Sequence, residues 1–287
     1  MNRAKSVFIG VYPMIAMAIV GYSVWQLSVT RDNFAWAGPV LTSLPFMAFL
    51  SYIMAFKSVA RTSGSFPVLN LVALGGSVLA GYAVLGRGAD PAALALSLTG
   101  SVCFALYSVW YSRLGRPPTS RLAVGRPFPS LALKKVDGGG FSTDELHGRP
   151  ALIFFYRGNW CPLCMAQVKE IAARYREVVQ MGARVLLVSP QPHENSVALA
   201  RRFEVPFDFL TDEGNLGARA LGLEMKNGLP MGMGLLGYEP STVYPTVVVL
   251  DATGVVRWLD QTDNYRVRPE PSTFLPLLRE LAANRSA

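Results

Sequence analysis

Hydrophobic positions follow two different rhythms along this chain. In the front half they run almost unbroken through four stretches, roughly Val7 to Val29, Trp36 to Phe56, Phe66 to Gly86 and Pro91 to Tyr111. Each holds about 20 residues without a charge, and a helix rising about 1.5 Å per residue then matches the ~30 Å hydrocarbon core of a bilayer. No polar face interrupts them, which argues against a soluble bundle. A cleaved signal peptide is the alternative for the first run, because "NRAK" precedes it and "AWA" at 35–37 resembles a cleavage site. The run is too long for such a peptide's apolar region, and three more follow it.

From Arg113 onward the rhythm becomes that of a soluble α/β domain. "RLGRPPTSRLAVGRPFPS" (113–130), rich in Pro and Arg, opens as a linker over residues 113–121. The apolar run "ALIFFY" (151–156) predicts a buried strand, and Val168, Ile171, Ala172, Tyr175, Val178 and Val179 share one face of a following helix. "RVLLVS" (184–189) predicts the next strand, "ENSVALARRF" (194–203) a helix, "FDFL" (207–210) a short strand and "NLGARALGL" (215–223) a helix. "PTVVVLDATGVVRWLD" (245–260) reads as two strands around a turn, and "PSTFLPLLRELAAN" (271–284) as a closing helix. The order β-α-β, an insertion, then β-β-α is the thioredoxin arrangement. The expected architecture is therefore an N-terminal all-α transmembrane four-helix domain (1–112), the linker, and an α/β thioredoxin-like domain (122–287).

Charge adds orientation. Of 27 basic and 19 acidic residues, 21 and 17 lie from Arg113 onward, so the net charge of +8 does not describe one basic surface. Nucleic acid is excluded as a partner by the absence of a basic run or finger spacing. Arg3 and Lys5, then Lys57 and Arg61, then Arg113, Arg116, Arg121 and Arg126 mark one side of the bilayer. The first and third gaps carry one base each, Arg31 and Arg87, offset by Asp32 and Asp90. The positive-inside rule then predicts an integral multi-pass protein with its N-terminus and soluble domain in the cytoplasm. The compact layout suggests a bacterial inner membrane. Trp25 and Trp36 are expected near the outer interface, with Tyr107, Trp110 and Tyr111 near the inner one.

The apolar stretches offer little chemistry. They hold no histidine, which excludes histidine-ligated haem there, and one cysteine, Cys103, too few for a dithiol relay. No ionisable residue inside a stretch marks an ion path. Small residues recur at Ala93, Ser97, Ser101 and Ala105, and at Ser77 and Gly81, giving a line along which helix backbones approach closely. That line serves packing among the chain's own helices, or else a partner or homo-oligomer. Anchor and scaffold is the expected role.

The soluble half carries "VGRPFPSLALKKVDGGGFSTDELHGRPALIFFYRGNWCPLC", then "VSPQPHENS", "YPT" before a strand, and "NYRVRPEP" near the end. In these segments it resembles the peroxiredoxin-like branch of the alkyl hydroperoxide reductase and thiol-specific antioxidant (redoxin) family, over about 160 residues. The four apolar stretches resemble no recognised family. The resemblance implies a thioredoxin fold and thiol redox chemistry. By the same likeness Arg268 falls where peroxiredoxins place an arginine beside the thiolate and the peroxide. Pro245 matches the cis-proline loop that faces the dithiol in thioredoxins, and Trp160 their shielding tryptophan. One position departs: typical peroxiredoxins carry Thr or Ser three residues before the peroxidatic cysteine, and this chain has Gly158.

Cys161 and Cys164 stand three residues apart where a buried strand ends and a helix begins. The partial positive charge of a helix N-terminus lowers a thiol there from about 8.5, so Cys161 is the expected nucleophile. Cys164, a turn deeper, is placed to close a disulfide with it. Arg157, four residues before Cys161, is the nearby cation. Zinc needs about four ligands, and with only His147 and His193 and no second Cys pair, neither metal nor other cofactor is expected. Three functions stay open: a membrane-tethered thiol peroxidase reducing hydrogen, organic or lipid hydroperoxides and recycled by a thioredoxin-like dithiol; a thiol-disulfide oxidoreductase acting on a protein client; and a redox sensor. "EMKNGLPMGMGLLGYEPSTVY" (224–244) reads either as an adaptable apolar lid, for a lipid substrate or the bilayer surface, or as a mobile loop.

Overall fold

The computed structural model describes residues 2–30, 34–56, 58–117 and 121–283. Arg31, Asp32 and Lys57, used above for orientation, lie outside the described residues, as do residues 118–120 of the predicted linker and residue 284 of the predicted last helix. Two compact units result, one taking in Ala4–Phe56 and Thr62–Arg113, the other built on Leu114–Ala287.

The first unit comprises α1 (Asn2–Val29), α2 (Ala37–Phe56), α3 (Pro67–Arg87) and α4 (Pro91–Ala105), the last continuing as a π-helical stretch over Leu106–Tyr111. All four helices are long and apolar enough to cross a membrane. Asp90 caps α4, its carboxylate accepting the Ala92 N–H, with Pro91 at the first helical position, where its missing N–H costs nothing. Close backbone approach joins α2, α3 and α4. A Cβ on Gly38 would lie 2.6 Å from the Gly76 carbonyl oxygen, and one on Gly76 2.7 Å from that of Gly38. Ala93 and Ser97 are buried, and Ser101 donates to the Ala73 carbonyl at 3.0 Å while its oxygen lies 2.8 Å from that of Ser77. The small-residue line through Ser101 is thus used inside the bundle, and only Ala105 of the four faces outward.

The aromatic residues expected near the interfaces differ in burial. Trp25 is exposed, but Trp36 is buried edge-on to Tyr22, their ring centres 5.3 Å apart. Tyr107 is also buried, edge-on to Phe46 at 4.9 Å. Edge-to-face pairing rewards burial of such rings in the bundle, and length and hydropathy do not reveal which ring has a partner.

The second unit runs β1 (Ala132–Lys135), β2 (Gly140–Ser142), β3 (Ala151–Phe155), α5 (Pro162–Ala172), α6 (Tyr175–Gln180), β4 (Arg184–Ser189), α7 (His193–Phe203), β5 (Asp208–Thr211), α8 (Leu216–Ala220), β6 (Glu224–Met225), β7 (Thr242–Val243), β8 (Thr246–Leu250), β9 (Val256–Asp260) and α9 (Pro271–Ala283). Seven strands form one sheet in the order β2-β1-β5-β4-β3-β8-β9, with β3, β4 and β5 parallel and the remaining pairs antiparallel. The central strands are buried on both faces, which is why they read as unbroken apolar runs. Leu152, Phe154, Val185, Leu187, Val247 and Val249 point to the face that carries Leu163, Val168 and Ile171 of α5 and Phe274, Leu275 and Leu278 of α9. Ile153, Phe155, Leu186, Val188, Val248 and Leu250 point to the other.

The sheet gains a hairpin, β1–β2, that the hydrophobic pattern does not announce. Its strands are three and four residues long, and its turn uses Gly138 at φ 89°. The segment read as a linker is partly folded: Leu114 is buried, and the Arg116 guanidinium donates to the Pro245 carbonyl at 2.6 Å and to Thr246 Oγ1 at 3.0 Å.

Candidate active site

β3 ends at Phe155, and the Tyr156 N–H still pairs with the Val188 carbonyl at 3.0 Å. The chain then turns, with the Gly158 carbonyl accepting the Cys161 N–H at 3.2 Å. Gly158 has φ 144°, a backbone conformation L residues avoid, and a Cβ there would lie 2.7 Å from Trp160 Nε1. This explains the departure at 158: the indole of Trp160 occupies the space a Thr or Ser side chain would need. The buried Trp160 Nε1 has no hydrogen-bond acceptor among the described residues.

Cys161 is the N-cap of α5, in extended conformation, with Pro162 at the first helical position. Its sulfur accepts the Cys164 N–H at 3.4 Å and lies 2.7 Å from the Cys164 sulfur. Both thiols are free and buried, Cys161 2 % exposed and Cys164 fully enclosed. A small side-chain rotation would join them.

Two arginines are buried beside the pair. Arg268 donates through Nη2 to the Cys164 sulfur at 3.4 Å, through Nη1 to Gln167 Oε1 at 3.1 Å, and through Nε to the Tyr265 carbonyl at 3.0 Å. Arg157 instead stacks on Trp160, its guanidinium carbon 4.5 Å from the ring centre, and donates to the Gly228 carbonyl at 2.7 Å. Its backbone N–H serves the Cys164 sulfur. Pro245 follows a trans peptide bond, since no cis bond occurs among the described residues, so the likeness to a cis-proline loop does not extend to the bond itself. It shares a small cavity with Gln167 and Arg268.

These contacts decide how the pair ionises. Burial pushes the Cys164 thiol up, but the hydrogen bond with Cys161, the Arg268 charge and the Arg157 N–H outweigh it and hold Cys164 below the ordinary thiol range. Burial also raises Cys161, and its hydrogen bond and proximity to Cys164 raise it further, against the pull of Arg268 and Arg157. One proton is therefore shared, with the negative charge resting on Cys164. The helix N-terminus alone predicts a Cys161 anion; the guanidinium aimed at Cys164 moves it one turn deeper.

Three supporting residues escape a reading based on motifs. Gln167 orients Arg268. Gln191 accepts the Asn159 N–H at 2.8 Å while donating to Tyr156 Oη and Ser196 Oγ, both at 3.1 Å, which fixes the loop before Cys161. Arg116 steadies the Pro245 loop, stacked over Tyr244 at 5.1 Å. A Gln one helical turn beyond Cys164 was the one available signal, and it is weak. The loop at 224–244 is clamped at its stem, where Thr242 Oγ1 donates to the Arg157 carbonyl at 2.9 Å and Tyr238 hydrogen-bonds Asn159, while Leu235 and Leu236 at its tip are exposed.

Known proteins resemble this chain over part of its length. The AhpC/TSA family model matches residues 124–259. The chain is 32% identical over 157 residues to the chloroplastic peroxiredoxin Q of Populus jackii, covering 55% of this chain and 68% of that protein. It is 27% identical over 167 residues to the peroxiredoxin Q of Sedum lineare, covering 56% and 81%. Among solved structures, the peroxidoxin BcpB of Mycobacterium tuberculosis aligns with a TM-score of 0.46 at 18% identity, over 55% of this chain and 97% of that one.

Proposed function

Because the chain belongs to the AhpC/TSA family of peroxiredoxins, and is by that membership a peroxiredoxin-like oxidoreductase, we propose that it is a membrane-anchored thiol peroxidase acting through Cys161 and Cys164. The observation that carries this reading is the pair itself: two free thiols with sulfurs 2.7 Å apart, the deeper one under a buried guanidinium. Cys161, at the mouth of the helix, attacks the peroxide oxygen and gives its proton to the Cys164 thiolate as it does so. The O–O bond breaks, the alkoxide or hydroxide leaves and is protonated by solvent, and Cys161 becomes a sulfenic acid. Cys164 then loses its proton, attacks that sulfur and expels hydroxide, closing the disulfide. A thioredoxin-like dithiol restores both thiols.

Hydrogen peroxide and organic or lipid hydroperoxides form the proposed substrate class. The exposed Leu235 and Leu236 at the tip of the clamped 224–244 loop support an apolar substrate or the bilayer surface as its neighbour. The four apolar helices serve as the anchor in a bacterial inner membrane, with the redox unit on the cytoplasmic side.

A second reading has its own support. With Trp160 filling the space over Gly158, no residue-158 hydroxyl can orient a peroxide, and a dithiol at a helix N-terminus also serves disulfide exchange with a protein client. The full chain in detergent, reduced and mixed by stopped flow with hydrogen peroxide, cumene hydroperoxide or oxidised glutathione, separates the two. Peroxide oxidation far faster than that of free cysteine supports the peroxidase. Peroxide oxidation at the free-thiol rate, with fast exchange against glutathione disulfide, makes it an oxidoreductase for disulfides.

A further inference from the structure

The aim of Arg268 separates the two halves of the catalytic cycle. Its Nη2 lies on the Cys164 sulfur, and its other nitrogens are fixed by Gln167 Oε1 and the Tyr265 carbonyl, so the fork has no freedom to swing. Arg268 is 7 % exposed and Cys164 is fully enclosed, so this contact is shielded from bulk water. Among the described residues, the hydrogen bonds on the Cys161 sulfur are those with the Cys164 N–H and the Cys164 thiol.

We infer that Arg268 is the catalytic residue of the reductive half-reaction, stabilising Cys164 as the leaving thiolate when an incoming thiolate attacks Cys161. This rests on the Cys161–Cys164 disulfide of the proposed function. In the step, a donor thiolate bonds to the Cys161 sulfur, the Cys161–Cys164 bond breaks, and its electron pair departs on Cys164 beneath the guanidinium. The donor's second thiol, as thiolate, attacks its own sulfur in the mixed disulfide and expels Cys161. The donor leaves oxidised and the two cysteines reduced, with one proton taken up to re-form the shared pair. Exchange is faster when the leaving sulfur is the better anion, and the buried cation makes Cys164 that sulfur. The same contact gives the attack a direction: a donor striking Cys164 would have to expel Cys161, on which the pull of Arg268 and Arg157 does not offset burial and the hydrogen bond with Cys164, whereas Cys164 leaves directly under the Arg268 guanidinium.

The test uses the full chain in detergent, converted to its disulfide with diamide, so that it does not depend on peroxide activity. One equivalent of 2-mercaptoethanol, acid quench and peptide mass mapping locate the first mixed disulfide in the unaltered protein. The adduct is expected on Cys161; an adduct on Cys164 overturns the inference. Reduction by dithiothreitol, expressed per donor thiolate at pH 9, is expected to slow about tenfold in Arg268→Gln and to recover in part in Arg268→Lys. At the same pH the peroxide step of Arg268→Gln should slow less than its reduction does, because the guanidinium lies on the sulfur that leaves in reduction, Cys164. Unchanged reduction alongside a peroxide step that stays slow at pH 9 would instead assign Arg268 to the peroxide. A protein that shows no peroxide reaction but still gives the Cys161 adduct and the slowed reduction would sink the peroxidase reading and leave this inference standing.

Discussion

Replacing Gly158 by Thr makes this loop more like that of typical peroxiredoxins, and the structure predicts that it damages the protein. At φ 144° an L residue carries a backbone penalty of about 1–3 kcal/mol. The new Cβ would sit 2.7 Å from Trp160 Nε1 and 2.8 Å from its Cδ1, where carbon contacts are comfortable at roughly 3.5–4.0 Å. Relieving that overlap means displacing the indole from beneath the Arg157 guanidinium, an overpacking cost of about 1–3 kcal/mol. The combined loss is on the order of 2–6 kcal/mol. Urea-dependent proteolysis of the full chain in detergent, following the fragment that contains residues 122–283, measures it. Gly158→Ala should show most of the effect, and adding Trp160→Ala should remove the overpacking part, so the double variant is more stable than the two single losses summed. Gly158→Thr with unchanged resistance to proteolysis and a faster peroxide reaction would refute the reasoning, because Trp160 would then not own that space.

The shared proton gives the reduced protein a pH dependence that the disulfide form lacks. Cys164, depressed in the folded state, contributes stability above its unfolded value of about 8.5 that is lost as pH falls toward its folded value, whereas the raised Cys161 contributes below about 8.5 and loses that contribution above it. Urea midpoints of reduced minus oxidised protein should therefore peak near pH 8.5, and a flat difference from pH 5 to 10 would contradict the coupling. Gln191→Leu removes the acceptor of the Asn159 N–H and the donor to Tyr156 Oη and Ser196 Oγ, at about 1–3 kcal/mol, and should slow disulfide closure in a stopped-flow trace while leaving the bundle intact. Gly38→Leu forces a side chain into the Gly76 backbone 2.6 Å away and should lower the thermal aggregation temperature of the detergent-solubilised chain without changing the redox rates of the surviving folded fraction.

Much of this architecture is legible in the lengths and placement of the apolar runs. The four helices are long, apolar runs, and the strands β3, β4 and β8 are near-continuous hydrophobic runs because both faces of each are buried. The Cys161–Cys164 spacing likewise announced a dithiol at a helix start, and Trp160, Arg157, Arg268 and Pro245 do gather in one unit around it. What the sequence hid depends on direction rather than residue type. Nothing in "YRVRPEP" says that Arg268 reaches the deeper sulfur, nor in "RGNW" that the Arg157 guanidinium lies over the indole. The Gly38–Gly76 contact was equally silent, since two glycines far apart in sequence carry no periodicity. Arg116 looked like a linker charge because the site it serves, the Pro245 carbonyl, lies 129 residues further along the chain.

The central claim is that Cys161 takes the peroxide oxygen and Cys164 resolves it. Full-length Cys164→Ser, treated with hydrogen peroxide in the presence of dimedone and mapped by peptide mass, tests it most directly. The account predicts a dimedone adduct on Cys161 alone, with the corresponding Cys161→Ser protein unlabelled at Cys164 on the same timescale. Labelling of Cys164 in Cys161→Ser at the parent's rate, with none on Cys161 in Cys164→Ser, would contradict it.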